Sequence, residues 1–115
     1  MLTEIISLHK ALADTSRLRI VKMLEIKPLC VCEITEILGL ATSTVSSHLS
    51  ILKEAGIILD FKDGKWVNYN LRPLPDNPTL LDMMQLLLKE LDEDDTIKMD
   101  KKLVRKVDRL KICSS

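Results

Sequence analysis

The sequence predicts a mainly α-helical domain that carries one β-hairpin. Apolar residues recur at helical spacing along most of the chain, and Asp63-Gly64 separates two short stretches of strand-forming residues. A length of 115 residues fits one small domain, whose core must be aliphatic because aromatic residues make up only 3% of the chain. The hydrophobic content of 46% leaves aliphatic surface that a second subunit could cover, so we expect a homodimer.

A capping signal separates the first two predicted helices. The opening helix has apolar residues at mostly helical intervals: Leu2, Ile5, Ile6, Leu8, Leu12 and Ala13. Asp14, Thr15 and Ser16 then offer N-caps for a second helix. That helix must end before Pro28, because the residue preceding a proline avoids the helical conformation.

The next two helices form a helix-turn-helix pattern. A short helix from about Cys30 to Leu38 ends at Gly39, a left-handed C-cap, and Thr42 or Ser43 can cap a fourth helix that runs to about Ala55. The apolar face of this fourth helix consists of Val45, Leu49 and Leu52. Its other faces are rich in small hydroxyl residues, which is typical of a helix that reads DNA.

A β-hairpin follows the helix-turn-helix. Residues 57–61 and 66–71 have strand-forming composition, and Asp63-Gly64 favours a tight turn because such turns need positive φ. Lys62 and Lys65 flank the tip of this hairpin. A helix-turn-helix followed by a hairpin with lysines at its tip indicates a winged helix-turn-helix.

The C-terminal third predicts the contact between subunits. Pro73, Pro75 and Pro78 indicate an extended linker, and a fifth helix begins near Thr79. The apolar stripe of this helix, predicted to be dimer core, contains Leu80, Leu81, Met84, Leu87, Leu88 and Leu91. We expect residues 1–91 to form the DNA-binding domain, which dimerises through its terminal helices, and residues 92–115 to form a charged, partly helical tail.

The charge pattern and the cysteine count limit the partners and the compartment. The formal net charge is zero, and the basic run from Lys98 to Lys111 largely cancels an acidic block at residues 90–95, so any basic patch is local. We find no signal peptide and no membrane-spanning run, and expect no membrane partner.

The cysteine count indicates the compartment. The three cysteines do not fit a secreted disulfide framework, because two of them stand in a Cys-x-Cys spacing at which a disulfide would be strained. We expect a cytoplasmic protein with reduced thiols.

The Cys30-Val31-Cys32 tripeptide is the feature that indicates chemistry. Thiolates are soft ligands that suit soft ions, and a helix start favours the thiolate form of Cys30. Residues two apart on a regular helix point about 200° apart, so both sulfurs reach one ion only if the first turn unwinds. The hypothesis is that inducer binding shifts the short helix that supports the fourth helix. Two small buried hydrophobic residues are the simpler interpretation.

Several motifs together resemble the ArsR/SmtB family of winged-helix metalloregulatory repressors. They are residues 13–21, residues 29–34, residues 43–49 and residues 64–69, and the resemblance extends from about Ile5 to Arg72. The nearest branch is the arsenic-responsive one, whose signature is Cys-Val-Cys at the start of the helix before the recognition helix. The resemblance therefore implies a DNA-binding transcriptional repressor, with the fourth helix as its recognition helix.

Family membership would imply a specific switch. The resemblance implies a homodimer that binds operator DNA with no cofactor and dissociates when arsenite or antimonite binds the cysteines. The chain departs from the family pattern at Thr35, where a third cysteine often stands, and at Ser47, where many members carry arginine. No histidine follows His48, so the zinc ligands that other members carry on the C-terminal helix are missing.

The candidate site residues form two groups. The metal ligands are Cys30 and Cys32, with Cys113 as a third ligand if the tail folds back on its own chain or on the partner; a frayed terminus is the simpler interpretation of Cys113. Water, hydroxide or a small thiol could complete the coordination instead. The DNA-binding candidates are Ser43, Thr44, Ser46, Ser47, His48, Lys53, Lys62 and Lys65. Ordinary helix capping, packing of His48 and solvation of the lysines are the alternatives for this second group.

Two other functions stay open. The same repressor fold could sense cadmium, lead, zinc or thiol oxidation through the same cysteines. A metal-buffering or thiol-active protein without DNA binding is the less favoured alternative. We do not expect an enzyme, because the sequence has no Cys-x-x-Cys motif, no plausible histidine-paired nucleophile and no glycine loop that would cradle a phosphate.

Overall fold

Six helices of the described residues accompany a small antiparallel sheet. The structure is a computed structural model that describes residues 2–72 and 78–108. In chain order its elements are α1 (Leu2–Leu12), α2 (Thr15–Leu24), β1 (Leu29–Cys30), α3 (Val31–Leu38), α4 (Thr42–Glu54), β2 (Ile58–Asp63), β3 (Trp66–Leu71), α5 (Pro78–Lys89) and α6 (Asp95–Lys106). A short 3-10 turn, Glu90–Glu93, joins α5 to α6. Helices α2, α3 and α4 pack against the sheet. The predicted mainly helical fold with a hairpin wing is confirmed.

The sheet has one strand that the sequence analysis missed. Its order is β1-β3-β2, with β2 and β3 paired from Ile58 and Leu71 to Asp63 and Trp66. The two-residue strand β1 pairs with β3, so that Cys30 lies opposite Asn68. A strand of two residues is too short to show the alternation by which strands are recognised in a sequence. The wing is therefore attached directly to the residue that begins the cysteine motif.

The hairpin turn and the helix caps largely follow the predicted signals. Gly39 and Gly64 have φ values of 69° and 61°, as a left-handed C-cap and a tight turn require. The turn is shifted by one residue, because Asp63 still pairs with Trp66. Asp14 is the N-cap of α2. The predicted cap of α4 is wrong: the N-cap is Ala41, which makes no side-chain capping bond, and Thr42 already belongs to the helix.

Aliphatic side chains fill the core, as the low aromatic content requires. Apolar residues with no more than 1% exposure come from α1, α2, β1, α3, α4, α6 and the start of the hairpin: Ala11, Ile20, Val21, Met23, Leu29, Ile34, Val45, Leu49, Leu52, Ile57, Ile58 and Val104. The apolar face predicted for α4 is therefore buried. The core holds the helix-turn-helix rigidly against the sheet, and it leaves the opposite face of α4 in solvent.

The apolar stripe of α5 is divided between the core and the surface. Met84 and Leu88 are buried within the chain, whereas Met83, Leu86 and Leu87 are 40%, 68% and 50% exposed. Leu80 and Leu91, which we expect in the dimer contact, are partly buried against the core of their own chain. The sequence contains enough apolar residues for two faces of this helix, and only tertiary packing decides which face points inward.

The charged segment after residue 92 packs on the helix-turn-helix. Asp100 on α6 is 2% exposed and accepts two hydrogen bonds from Arg19 on α2, at 2.8 and 2.9 Å. The hydrogen bond that Arg19 donates to Asp100 raises the pKa of Arg19, against the opposing effect of burial. Val104 on the same helix is fully buried. The division expected at residue 92 therefore separates two segments that pack on each other.

A buried lysine makes a second link between the two halves. Lys22 on α2 is 1% exposed, and its Nζ lies 2.9 Å from the Leu88 carbonyl oxygen, 2.6 Å from Asp92 and 2.7 Å from Glu25. Burial lowers the pKa of Lys22, but its hydrogen bonds to the two carboxylates outweigh burial and the net change is upward. The end of α5 is thus held to α2 by a charged group that its partners satisfy.

The pair between Arg19 and Asp100 yields a stability prediction. The substitution Asp100→Asn removes the negative charge from a buried site and leaves the guanidinium with a neutral partner, so the free energy of unfolding should fall by about 1–3 kcal/mol. Urea denaturation followed by circular dichroism measures this change.

The matched control is Glu93→Gln, because Glu93 pairs with Lys98 at 2.9 Å but is 88% exposed. Exposed ion pairs contribute little, so this variant should unfold at the urea concentration of the wild type. Equal midpoints for the two variants would show that Asp100 does not anchor α6.

Candidate nucleic-acid interface and thiol site

Helix α4 presents a polar surface because its apolar face is used by the core. Four of the predicted DNA-binding residues are exposed on this surface: Ser43, Thr44, Ser46 and Ser47. The Ser47 hydroxyl donates to the Ser43 carbonyl oxygen at 3.0 Å, a bond within the helix that reduces its use for an outside partner. Thr44 and Ser46 are consequently the more favourable candidates for contacts to bases or phosphates.

The hairpin carries two more of the predicted DNA-binding residues, Lys62 and Lys65. Lys62 and Lys65 are exposed near the tip, and the Lys65 Nζ lies 4.7 Å from the centroid of the Trp66 ring. A cation over an aromatic face restrains a long side chain without burying its charge. The wing therefore presents two exposed lysines near its turn, one of them restrained by Trp66.

Lys53, another of the residues expected to bind DNA, makes an ion pair within the protein. Its Nζ donates to the Asp60 carboxylate at 3.0 Å, which ties the last turn of α4 to β2. Asp60 faces Tyr69 across the hairpin. Burial, reinforced by the Asp60 charge and opposed by Lys53, raises the pKa of Tyr69. Lys53 is half-exposed, but in this arrangement it holds the wing to the helix.

His48 also lies in a contact between helices. The Arg17 guanidinium approaches the His48 Nδ1 at 3.1 Å and donates from its Nε to the Ala11 carbonyl oxygen at 2.7 Å. Because a guanidinium can only donate, the His48 Nδ1 accepts, which assigns the proton of the neutral ring to Nε2. Arg17 thus joins α1, α2 and α4, a bracing role that the sequence analysis did not single out.

Cys30 is the N-cap of α3 and lies inside the protein. Its backbone is extended, with φ of −91° and ψ of 168°, and the residue is 2% exposed. The Cys30 amide donates to the Glu33 carboxylate at 3.0 Å, and the Glu33 amide faces the Cys30 sulfur, which completes a capping box. Cys30 therefore belongs to both the sheet and the start of α3.

Cys32 lies two residues further, within the first turn of α3, and is exposed. The expectation that both cysteines occupy regular helical positions is wrong, because Cys30 has extended backbone. The outcome for the sulfurs is similar, since one lies in the core and the other at the surface. Cys32 is disulfide-bonded, so the expectation of reduced thiols is wrong for this residue, whereas Cys30 is a free, buried thiol.

Among the described residues, two buried polar atoms near this region have no hydrogen-bond partner: the Thr35 hydroxyl on α3 and the Asn68 Oδ1 on β3. The Asn68 Nδ2 donates to Asp63 near the turn of the wing at 3.2 Å. Across residues 2–72 and 78–108, no group of three or more His, Cys, Asp or Glu side chains could hold a metal ion. The predicted third ligand, Cys113, lies outside the described residues.

Comparison with known proteins identifies the family. Residues 14–59 match the model for "Bacterial regulatory protein, arsR family". The arsenical resistance operon repressor of Bacillus subtilis is 34% identical over 87 residues, which cover 75% of this chain and 83% of that protein. The chain belongs to the ArsR family. In the HlyU structure from Vibrio cholerae, 32% identical with a TM-score of 0.65, the match covers 78% of this chain and 92% of that one.

Other ArsR-family relatives differ in the metal that their names mention. The arsenical resistance operon repressor of Escherichia coli K12 is 48% identical over 69 residues, 59% of each chain. The cadmium resistance regulatory protein CadC of Listeria innocua is 40% identical over 78 residues, 67% of this chain and 62% of that protein. The chain thus spans about three-fifths of these two relatives.

One relative of known structure is described as a homodimer. The homodimeric winged helix-turn-helix DNA-binding domain from Mycobacterium bovis is 27% identical, with a TM-score of 0.65 and coverage of 77% of this chain and 82% of that one. Within the described stretches of this ArsR-family chain, no helix has the length and apolarity needed to cross a membrane.

The signals for the missed residues of this ArsR-family site were weak. Glu33 stands three residues after Cys30, which is the spacing of a capping box, but such boxes are recognised by serine or threonine at the first position. Nothing in the local sequence of Arg17 indicates its contact to His48, which lies 31 residues away.

Asp14 gives a prediction for the pH dependence of stability. Its carboxylate accepts from the Arg17 amide at 3.0 Å, and this hydrogen bond, opposed by burial and aided by the charges of Arg17 and His48, lowers the pKa of Asp14. A lowered pKa means that ionised Asp14 stabilises the fold above about pH 4 and that this contribution is lost as the pH falls further.

The variant Asp14→Asn keeps an N-cap acceptor but does not titrate, so its unfolding free energy should decline less than that of the wild type between about pH 5 and pH 2. Asp14→Ala removes the cap as well and should cost about 1 kcal/mol already at pH 7. Urea midpoints across this pH range measure both effects. If the unfolding free energies of Asp14→Asn and the wild type fell equally with decreasing pH, ionised Asp14 would not stabilise the fold.

Proposed function

We propose that this chain is a homodimeric transcriptional repressor that binds operator DNA and releases it when arsenite or antimonite binds Cys30 and Cys32. The observation that carries the proposal is the position of Cys30. This residue pairs with β3 of the wing and caps α3, the helix that precedes α4. An ion that moves Cys30 would therefore act on the wing directly and on α4 through α3. The wing and α4 are the two elements that would contact DNA.

The DNA-binding half of the proposal is supported by the exposed face of α4 and by the wing. The major groove of B-DNA admits one α-helix, and hydroxyl groups can bond to base edges or phosphates. Lys62 and Lys65 would contact phosphates on the flanking backbone. Family membership and the relatives named as operon repressors support the same function.

The dimer is supported by apolar surface on α1 and α5. Leu2 and Ile6 on α1 are 74% and 45% exposed, and Leu86 on α5 is 68% exposed. Between these helices lies an apolar groove of about 350 Å³. A twofold axis through this surface would cover it symmetrically and present two α4 helices to successive major grooves.

The chemistry of the inducer fits a cysteine pair. Arsenite binds thiols by condensation: each new As–S bond replaces an As–O bond, and one water leaves. Sulfur ligands suit such a soft centre better than oxygen ligands do. Bringing the Cys30 sulfur to Cys32 opens the capping box and displaces the start of α3, so the position of α4 changes relative to the wing.

A second candidate inducer is cadmium. The relatives named as cadmium resistance regulators are up to 40% identical to this chain, and cadmium also prefers thiolate ligands. Since the two proposals use the same residues, titration of one protein sample with both ions separates them.

The first test concerns the wing. The double variant Lys62→Gln/Lys65→Gln should bind operator DNA more weakly, because each lysine that neutralises a phosphate in the wild type releases a counterion on binding. Fluorescence anisotropy at several salt concentrations gives the slope of log binding constant against log salt concentration. The magnitude of this slope should be smaller by about one for each phosphate that the variant leaves without a lysine. The DNA is the region upstream of the chain's own gene.

Lys102→Gln is the matched control, since Lys102 is an exposed lysine on α6, outside the helix-turn-helix and the wing. It should bind DNA as the wild type does. Equal weakening in the control and the wing variant would show that only the total charge matters.

The second test concerns the inducer. With the thiols reduced, arsenite should weaken DNA binding by the wild type by about 5-fold to 150-fold, the usual range of allosteric coupling. The variant Cys30→Ser/Cys32→Ser should bind DNA without inducer and stay bound when arsenite is added. If DNA binding responded to cadmium, lead or diamide but not to arsenite, the proposed inducer would be wrong and the proposed repressor function would stand.

A further inference from the structure

The Arg17 side chain connects three helices at one point. Its Nε donates to the Ala11 carbonyl oxygen at 2.7 Å, and its Nη2 donates to the Lys10 carbonyl oxygen at 3.3 Å. Both carbonyl groups belong to the last turn of α1, where a helix runs out of intrahelical donors and favours a cation. Arg17 itself lies in the first turn of α2, and its Nη1 lies 3.1 Å from the His48 Nδ1 in α4. The guanidinium therefore ties α4 to the junction of α1 and α2.

His48 places this contact next to the surface proposed to bind DNA. It follows Ser46 and Ser47, which are exposed, and precedes Leu49, which is buried in the core. The His48 side chain itself is partly buried. A change at this ring therefore acts on the middle of α4, within one turn of the exposed hydroxyl residues.

The contact with Arg17 exists only while the His48 ring is neutral. A guanidinium can only donate, so the His48 Nδ1 must be unprotonated to accept from it. A proton on Nδ1 removes this acceptor and places a second positive charge 3.1 Å from the Arg17 Nη1. Like charges at such a distance repel each other, so protonation separates the two side chains.

Asp14 offers the protonated ring a different partner. Its Oδ2 lies 3.9 Å from the His48 Nδ1, which is too far for a hydrogen bond. The same oxygen accepts from the Arg17 amide at 3.0 Å, as the N-cap of α2. Protonated His48 can donate to Asp14 only if α4 shifts or the N-cap of α2 opens. Protonation thus exchanges the partner of His48 and disturbs the joint between the helices.

Two charged side chains of opposite sign make contacts with His48 in the part of the chain that the structure describes, and they are Arg17 and Asp14. The described residues of α1, α3 and β2, which also pack on α4, make no hydrogen bond or ion pair with the ring. The other histidine, His9, is exposed and bonds to the Ile5 carbonyl oxygen of its own helix at 2.8 Å. A response of this joint to protons therefore belongs to His48 and not to His9.

We propose that Arg17 is a positioning residue for DNA binding: it holds α4 in the DNA-binding orientation through neutral His48, and a proton on His48 releases α4 and weakens operator binding. This inference rests on the proposed function. It adds a response to acid that involves neither a metal ion nor a cysteine.

A histidine that contacted a DNA phosphate would act in the opposite direction. Protonation would add a cation beside the phosphate, and such cations strengthen DNA binding. In the proposed arrangement, the DNA-bound state excludes the proton from the His48 Nδ1. By linkage, protons then weaken DNA binding by the same factor as DNA weakens proton binding. The sign of the pH dependence therefore distinguishes the two roles of His48.

Fluorescence anisotropy at constant salt measures operator binding by the inducer-free, reduced protein between about pH 8 and about pH 5.5, across which histidine side chains change charge. The wild-type dissociation constant should rise on the order of tenfold toward the acid end, within the usual range of allosteric coupling. Asp14 stays ionised throughout, because the hydrogen bond from the Arg17 amide lowers its pKa.

The variant His48→Asn keeps an acceptor oxygen close to the position of Nδ1 but does not titrate. Its dissociation constant should therefore stay nearly constant over the same interval. His9→Asn is the matched control, because it removes the other histidine and should keep the pH dependence of the wild type.

The variant Arg17→Met tests the other side of the contact. It should bind the operator more weakly at the alkaline end and should lose the pH dependence, because no contact remains for the proton to break. A residue that only stabilised the fold would weaken binding without flattening the pH profile. Circular dichroism checks that the variant is folded, and if it is not, His48→Asn alone decides.

Three results would overturn the proposal. In the first, operator binding strengthens toward the acid end in the wild type but not in His48→Asn, which would assign His48 to a phosphate. In the second, wild-type binding does not depend on pH. In the third, His48→Asn keeps the pH dependence of the wild type.

No operator binding by the wild type at any pH would contradict the proposed function itself. Nitrogen NMR of the histidine rings then still judges the contact. The neutral His48 ring should carry its proton on Nε2, and its Nδ1 signal should shift in Arg17→Met. A proton on Nδ1 of the neutral ring, or an Nδ1 signal that Arg17→Met leaves unchanged, would overturn the role of Arg17.

Discussion

The hydrogen bond from the Cys30 amide to the Glu33 carboxylate sets the geometry of the functional half of this protein. It satisfies a backbone donor that would otherwise be orphaned at the start of α3, and it fixes the direction in which that helix leaves the sheet. Because Cys30 also pairs with Asn68, the same residue sets the position of the wing. The proposed recognition surface consists of α4 and the wing, so its shape would depend on the backbone at one cysteine.

The C-terminal half depends on buried charge. Lys22 and Asp100 are both nearly inaccessible to solvent, and each is compensated by partners on another element. A buried ion pair adds little net stability compared with apolar packing, but its loss leaves an uncompensated charge, so it defines the arrangement sharply. Residues Arg19 and Lys22 lie on α2 and bind α6 and the end of α5, respectively. The charged segment that a composition argument treats as a tail is therefore attached to the helix-turn-helix at two points.

Periodicity and turn chemistry were sufficient to predict the helix-turn-helix, the hairpin and the motif that shows family membership. The features that could not be predicted are those decided by contacts between distant segments. Strand β1 exists because Leu29 and Cys30 lie against β3, and the inward face of α5 is the one whose Met84 and Leu88 are buried in the core. The position of His48 depends on its contact with Arg17, and no local sequence pattern predicts that contact. The exposed hydroxyls of α4 and the lysines of the wing were located, but their contacts to DNA stay predictions.

The separation of the two cysteines explains how binding energy could become a conformational change. An ion that bound two preformed, converging thiolates would have equal affinity for both states of the protein and would shift nothing. Here one sulfur is in the core at an N-cap and the other is at the surface, so occupancy of both favours a state in which the cap is open. Under the proposed function, the cost of opening that cap would weaken the apparent affinity for the ion, and by linkage DNA would weaken ion binding by the same factor as the ion weakens DNA binding. A buried, capped cysteine therefore serves a switch better than an exposed one, because it ties ligand binding to the structure that DNA requires.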